Sequence, residues 1–533
     1  MPFSYPPRAR WPTLYQKFKR VYDKQVDGTG LAVFRIVFSL VLLAEVLHLF
    51  YFRHLVFDVI PFLETGEIGF TTPLLLWMMT LALLVLGLFT GPAALVNYGF
   101  CLVFFSSLKT YAYMMTPVYI SMSFLFLFLP LSRRLSLDRL RLQLRYSTTR
   151  FCYQPPTTVS QLAYYAPIVL GLAFVYLDST LYKLTSPMWL AGLGMWKTLS
   201  LPYETRLNGS FILNNEFLVK FLGYLTLAFE FFFIFLFPWR KYRLVVLTIG
   251  VGLHLGILLL FPFPLFAIGF GSLYLLLVPA GCWQRLRPAA TAGLRPLARL
   301  LRLPGIRGFF APAFPTPGEA GQLPPGEARR DFKPAGAALG LAGLVLLQGL
   351  ASYQTPLVEL LRRKSGLDGT WAGRGLARVS AATAGPARNF FGITNHPIAL
   401  DEHFAGYTRL VAVTYTGPDG VEQFLPLTRP SGQPGAYLSG AVWLKWTYGT
   451  VSGRISQPRL EASLRSFTAF WAHQHQVDLT SCRFQVKVKK IAEATTWQPD
   501  FLNQQLAAGW QDAGTVQWHN QHFTAHLAAI SSL

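Results

Sequence analysis

Apolar residues gather along the first two-thirds of the chain into blocks of sixteen to twenty-one positions, separated by short polar stretches rich in Arg and Pro. A helix rises about 1.5 Å per residue, so each block comes close to spanning a hydrocarbon core of roughly 30 Å. Nine blocks fit: Gly30–Phe50, Pro73–Phe89, Pro92–Leu108, Met114–Leu131, Leu162–Leu181, Phe217–Phe237, Leu244–Phe261, Phe263–Val278 and Ala335–Leu350. Beyond Ala351 the pattern changes to alternation. Thr408–Thr416, Ala441–Thr450 and Arg483–Ile491 read as strands, Leu460–His475 as a helix, and Gly417–Gly420 and Pro430–Gly432 as turns. The pattern predicts an α-helical integral membrane bundle of about nine transmembrane helices, followed by a C-terminal extracytoplasmic β-rich α+β domain.

Composition agrees with lipid as the solvent. Hydrophobic residues make up 52% of the 533 positions and charged residues only 14%, against roughly 25% charged in soluble domains. The net charge of +22 would suit nucleic acid, but its placement follows the alternating loops. With a cytoplasmic N-terminus, the inside segments hold twenty-four Lys and Arg, and the outside loops and span edges up to the eighth block hold six. That asymmetry is the positive-inside pattern of a membrane protein, so the predicted partner is the lipid bilayer and not nucleic acid. The organisation expected is a basic cytoplasmic N-terminus (1–29), an eight-span bundle (30–279), a cytoplasmic linker rich in Pro, Gly and Arg (280–334), a ninth helix (335–350) and an external domain (351–533). No cleavage site of signal-peptide type follows the basic start, so the first block is expected to stay as an anchor. Cys101, Cys152, Cys282 and Cys482 are far apart and form no C-x-x-C motif.

An ionisable side chain in mid-membrane costs at least roughly 2.5–3.5 kcal/mol and usually faces a bundle interior or a wet cavity. Such residues are few: Arg35, Glu45 and His48 in the first block, Asp178 and Lys183 at the outer end of the fifth, Lys220 and Glu230 in the sixth, His254 in the seventh. His254 lies about 15 Å into its block and Glu230 about 20 Å, both too deep to reach water along the side chain. Glu45 and His48, spaced i, i+3, share a helix face and suit a hydrogen-bonded pair. Lys220 is expected to snorkel outward, and Lys183 could do the same. A Lys in an apolar pocket can instead serve as a general base, with a buried His or Glu relaying protons. The alternative is a structural network joining Arg35, Glu230 and His254. The sequence holds no P-loop, G-x-S-x-G, H-E-x-x-H or dinucleotide fingerprint. His473 and His475 sit i, i+2 on a predicted helix and do not face together, so no metal site is expected.

The stretch Val175–Leu184 (VYLDSTLYKL), followed by Trp189-Leu190-Ala191-Gly192, resembles a segment of the vitamin K-dependent γ-glutamyl carboxylase and of its bacterial relatives, the horizontally transferred transmembrane (HTTM) proteins. Gly30–Phe38 resembles the family's opening span, Ser136-Leu137-Asp138 its Ser-x-Asp after the fourth span, and His254 its late-span histidine. The likeness covers about residues 20–280. It implies that Lys183 stands in place of a membrane lysine that deprotonates vitamin K hydroquinone; oxygen then generates a strong base, which removes the γ-proton of a glutamate that captures CO₂. Tyr182 replaces the first lysine of the family's pair. No histidine occurs between His54 and His254, so the histidine that the carboxylase carries ahead of its Ser-x-Asp has no counterpart, and Arg133 and Arg134 occupy that neighbourhood. The expectation is a quinone-linked membrane enzyme with Lys183, Glu230 and His254 as catalytic groups. Tyr176, Tyr182, Trp189 and Arg35 would bind a reduced quinone of the vitamin K or menaquinol type. The substrate would be a secreted peptide or another molecule. The alternative is a non-enzymatic helper for maturation or export of a secreted client. The bacterial look of the match suggests an inner membrane.

Overall fold

A computed structural model describes residues 13–57, 69–108, 114–146, 155–279, 281–283, 285, 334–451 and 456–529. The expected linker at 280–334 and Cys152 lie almost wholly or wholly outside the described residues, as does the chain before Thr13.

The protein is mostly helical, with a β-sheet confined to its C-terminal part. Each of the nine apolar blocks is helical. Five helices are long and apolar enough, by length and composition, to cross a membrane: Thr29–Tyr51, Leu162–Lys183, Glu216–Leu236, Arg243–Leu260 and Pro334–Ser352. The second, fourth and eighth blocks form shorter apolar helices, Thr71–Leu86, Thr116–Phe126 and Pro264–Leu277. The third runs from an α-helix, Thr90–Cys101, into a π-helix, Leu102–Ser107.

The helix Arg243–Leu260 buries few of its residues. In Arg243–Leu260 the buried residues are Val246, Gly250 and His254, one stripe at i, i+4, i+8, while Val251, Leu255 and Leu259 are exposed. A face that hides a histidine and exposes leucines suits apolar surroundings.

Two short antiparallel strands, β1 (Gln25–Asp27) and β2 (Thr158–Ser160), tie together the starts of the first and fifth apolar helices. The fifth helix is broken into three parts. Pro167 lies inside Leu162–Ile168, a π-helical turn follows at Val169–Ala173, and α-helix resumes at Phe174–Lys183. Proline lacks the N–H that an α-helical ladder needs, and the wider turn absorbs the mismatch. It also sets the rotation of the next ten residues, which carry the candidate site.

The C-terminal sheet has five antiparallel strands in the order β4-β3-β5-β6-β7. They are β3 (Arg409–Thr416), β4 (Glu422–Phe424), β5 (Ser481–Lys490), β6 (Gln511–His519) and β7 (His522–Leu527). The helix Gln457–Gln474 packs on it through Trp471, which touches Tyr415 and Phe484, while Trp518 Nε1 donates to Thr468 Oγ1 at 3.1 Å.

One expectation is corrected. Ala441–Thr450 is not a strand but most of the helix Gly440–Thr450, buried on nearly all sides, with Trp443 against Phe263 and Trp446 against Phe467. Residues from Ala351 on pack directly against the apolar helices. Two helices, Pro356–Lys364 and Trp371–Phe391, precede the sheet, and one apolar core runs from the bundle into it: Phe52 packs on Tyr437 and Phe470. Polar ties accompany this, with Trp443 Nε1 donating to the Tyr203 carbonyl at 2.8 Å and Lys445 Nζ to that of Leu55.

Candidate functional site

The residues Phe174–Lys183 present two polar faces. Tyr176, Thr180 and Lys183, at i, i+4, i+7, share one; Asp178 and Tyr182, at i, i+4, share the other.

On the first face Lys183 is 4% exposed and donates from Nζ to both carboxylate oxygens of Glu230, at 2.7 Å and 2.8 Å. Its Nζ also stands 4.5 Å from the ring centroid of Trp189. Two turns earlier, the Tyr176 hydroxyl lies 2.6 Å from the Tyr274 hydroxyl and 2.7 Å from His254 Nε2. Glu230 is near enough to act electrostatically on both tyrosines. Phe229 and Phe233, neighbours of Glu230 in sequence, pack on the Tyr176 ring at 5.7 Å and 5.2 Å. His254 stacks on Phe270 at 5.4 Å, and among the described residues its Nδ1 has no hydrogen-bond partner.

Glycines make this packing possible. A Cβ on Gly250 would lie 2.2 Å from the Tyr274 ring, so only glycine one turn before His254 lets Tyr274 reach Tyr176. Gly192 takes φ of +75° and its carbonyl abuts Gly223, where a Cβ would fall 2.5 Å from it. The Trp189-x-x-Gly192 spacing therefore turns the chain back against the helix Glu216–Leu236, which bears Glu230. Gly194 lies under the Trp189 ring, with room for no side chain.

On the second face Asp178, fully buried, accepts from Ser352 Oγ at 2.8 Å and from the His396 backbone N–H at 2.6 Å. His396 opens a segment that straps the end of the fifth helix. Asn395 Nδ2 donates to the Tyr182 hydroxyl at 2.9 Å. Trp189 Nε1 donates to the Ala399 carbonyl at 2.6 Å, and Ser186 Oγ to Asp401.

The expected residues thus separate into groups. Lys183, Glu230, Tyr176, His254 and Trp189 are brought together, and Tyr182 borders them on the adjoining face. Arg35 is elsewhere, fully buried, with its guanidinium donating to the carbonyls of Leu131 at 2.7 Å, Leu135 at 2.5 Å and Val85 at 3.4 Å. These carbonyls end or flank neighbouring helices, and the same turn is held by Asp138, which accepts from the backbone of Phe89 and Thr90. Arg35 is placed as a clamp between helix ends, and among the described residues the network joining it to Glu230 and His254 does not form. His48 Nε2 lies 3.1 Å from Ser439 Oγ, and Glu45 accepts from the Tyr119 hydroxyl at 3.4 Å. Lys220, at the protein surface, pairs with Glu216 at 2.7 Å. Sequence reasoning missed Tyr274, whose signal was a phenol hydroxyl in a block whose one other polar side chain is Ser272, and His396, which no pattern marks.

Among the described residues no group of three or more His, Cys, Asp or Glu is placed to hold a metal ion. Two small clefts are lined by residues other than Lys183. One is lined by Trp196, Ser200, Tyr407 and Glu493, the other by Tyr203, Leu438, Trp446 and Thr447. Beside them, in the segment between the fifth and sixth apolar helices, burial pushes the Glu204 carboxyl up to about 8.

A carboxyl and an amine in contact can pass a proton between them without changing their net charge. Such a pair inside an apolar bundle can also take a proton from a ligand, and the Tyr274–Tyr176–His254 hydrogen bonds offer a short relay beside it. Comparison of the chain with protein-family models, curated proteins and solved structures returns no match.

Proposed function

We propose that the protein is a nine-span membrane enzyme with a cytoplasmic N-terminus and an external C-terminal sheet, acting on a lipid-soluble hydroquinone of the menaquinol type. The observation that carries this is the set Lys183, Glu230, Tyr176 and His254, buried together where each neighbouring surface is apolar or aromatic. Polar groups in such surroundings are costly, and function is the usual reason that they are kept. The likeness of VYLDSTLYKL and Trp189–Gly192 to the carboxylase family supports the choice of a quinol.

In the step proposed, a hydroquinone O–H bond breaks and the proton passes to the Lys183–Glu230 pair, leaving the electron pair on the quinolate oxygen. The pair goes from neutral to a charge of +1 while the ligand becomes −1, so the site's total charge is unchanged. That matters in a medium of low dielectric, where an isolated new charge is expensive.

The second reading is a non-enzymatic helper for a secreted client. It is favoured by one feature, the bidentate closure of Lys183 on Glu230, which by itself suits a structural tie. Purified protein tested for co-extracted quinone and for anaerobic binding of menaquinol separates the two. Saturable binding supports the enzyme; neither co-extraction nor binding leaves the helper.

A further inference from the structure

We infer that His396, set against Asp178, is a second acid–base group of this site and that the free edge of its imidazole binds the other oxygen of the same hydroquinone. The inference rests on the hydroquinone reading above.

His396 is 6% exposed, and among the described residues neither of its ring nitrogens has a hydrogen-bond partner. Buried imidazole nitrogens left without partners are costly, so a native structure seldom keeps two in one ring without use for them. The ring is not loosely placed. Its own backbone N–H is fixed on Asp178, Asn395 before it is tied to Tyr182, and Ala399 after it is tied to Trp189. Ala399 takes φ of +53°, the left-handed region that favours glycine, so the strap is held in an unfavourable backbone state by its bonds.

Nδ1 of His396 stands 3.7 Å from Asp178 Oδ2. A small rotation of the ring makes this a hydrogen bond, which puts the proton on Nδ1 and leaves Nε2 as the acceptor. Asp178 is itself steadied by Ser352, from the ninth apolar helix. A carboxylate that orients one ring nitrogen and stabilises the imidazolium formed at the other is an acid–base arrangement. Asp178 precedes Lys183 by five residues, about 7.5 Å along the helix, and the strap contacts both Tyr182 and Trp189 beside that lysine. A hydroquinone has two hydroxyl groups. With one proton going to the Lys183–Glu230 pair, the second O–H breaks toward His396 Nε2, the electron pair stays on oxygen, and the Asp178 carboxylate offsets the imidazolium charge.

The test uses full-length protein in lipid nanodiscs, titrated anaerobically with menaquinol-4 and followed by tryptophan fluorescence. His396→Ala should weaken binding about tenfold or more, and free imidazole should restore part of the loss. His396→Gln, which keeps the volume and one amide donor, should fall between; it carries the test if the alanine variant does not fold. Wild-type affinity in a folded His396 variant overturns the inference and leaves the hydroquinone reading standing. Absence of saturable binding to the wild-type protein overturns both. A loss that imidazole does not restore overturns the acid–base role and leaves His396 as packing.

Discussion

Lys183 is held between the Glu230 carboxylate, 2.7 Å and 2.8 Å from its two oxygens, and the face of Trp189, 4.5 Å away. Three separate stretches of chain supply these groups, so the pair can form only when the fifth and sixth apolar helices and the turn at Gly192 are all in place.

Removing one member should therefore cost far more than removing both. Glu230→Gln or Lys183→Met leaves a buried charge or donor uncompensated, a loss of about 3–5 kcal/mol. The double variant Lys183→Met/Glu230→Leu should recover most of it. Thermal melting in detergent of the two singles and the double checks this; additive losses would show that the two side chains are not coupled.

Gly250→Ala should disturb the site without touching a polar atom. The new methyl meets the Tyr274 ring at 2.2 Å, so Tyr274 must withdraw and its 2.6 Å bond to Tyr176 must open. A destabilisation of about 1–3 kcal/mol is expected. Pairing with Tyr274→Leu, which frees the space, should remove the penalty; strict additivity in that double-mutant cycle would count against the contact.

The apolar blocks were legible because lipid selects for composition over a whole helix, and all nine proved helical within a few residues. Polar residues inside them stood out for the same reason, which is how Lys183, Glu230 and His254 were found. Arg35 stood out equally but serves helix ends, since depth alone does not say which neighbour a side chain meets. Ala441–Thr450 was misread because β-branched and aromatic residues suggest a strand. Buried on nearly every side between Phe263 and Phe467, that segment shows no helical period, and packing decides its state. The strap from Asn395 to Asp401 has no period at all; its bonds to Asp178, Tyr182 and Trp189 exist only in three dimensions.

Glu204 should make stability depend on pH. Burial raises its carboxyl from 4.5 to about 8, so between those values the folded protein holds a proton that the unfolded chain has released. Stability should fall as pH rises through that window and level off above it, by up to several kcal/mol. Below pH 4.5 both states are protonated and the group contributes nothing. Melting curves from pH 4.5 to 8.5 should show this slope, and Glu204→Gln should flatten it; an unchanged slope in the variant would assign the effect to another group.

The proposed topology is open to thiol labelling, although Cys482 is too buried to report on it, and burial raises its thiol to about 12. Cys282 is exposed, and Val421, at 61% exposure, stands on the turn between β3 and β4. In single-cysteine variants, a membrane-impermeant maleimide should label Val421→Cys in intact cells and Cys282 only after lysis. The reverse pattern would invert the protein in the membrane.

Lys183→Arg distinguishes base from tie. Arginine can keep a bidentate contact with Glu230 and lie over Trp189, so a structural role predicts a stable variant that behaves as wild type. A proton acceptor must be able to exist without its proton, and a guanidinium does not reach that state in a protein. Glu230 could still accept a proton, but beside a permanent cation it holds its charged form more firmly and becomes the weaker base. The readout is the anaerobic absorption spectrum of bound menaquinol-4, since a quinolate anion absorbs at longer wavelength than the neutral quinol. Wild-type protein should shift the band on binding, and Lys183→Arg should bind with the band unshifted while melting within a few degrees of wild type. Glu230→Asp, which keeps a carboxylate but withdraws it, should lower the shifted fraction without abolishing it. A full shift in the arginine variant would remove Lys183 from the proton transfer and leave it as the tie between the fifth helix and Glu230.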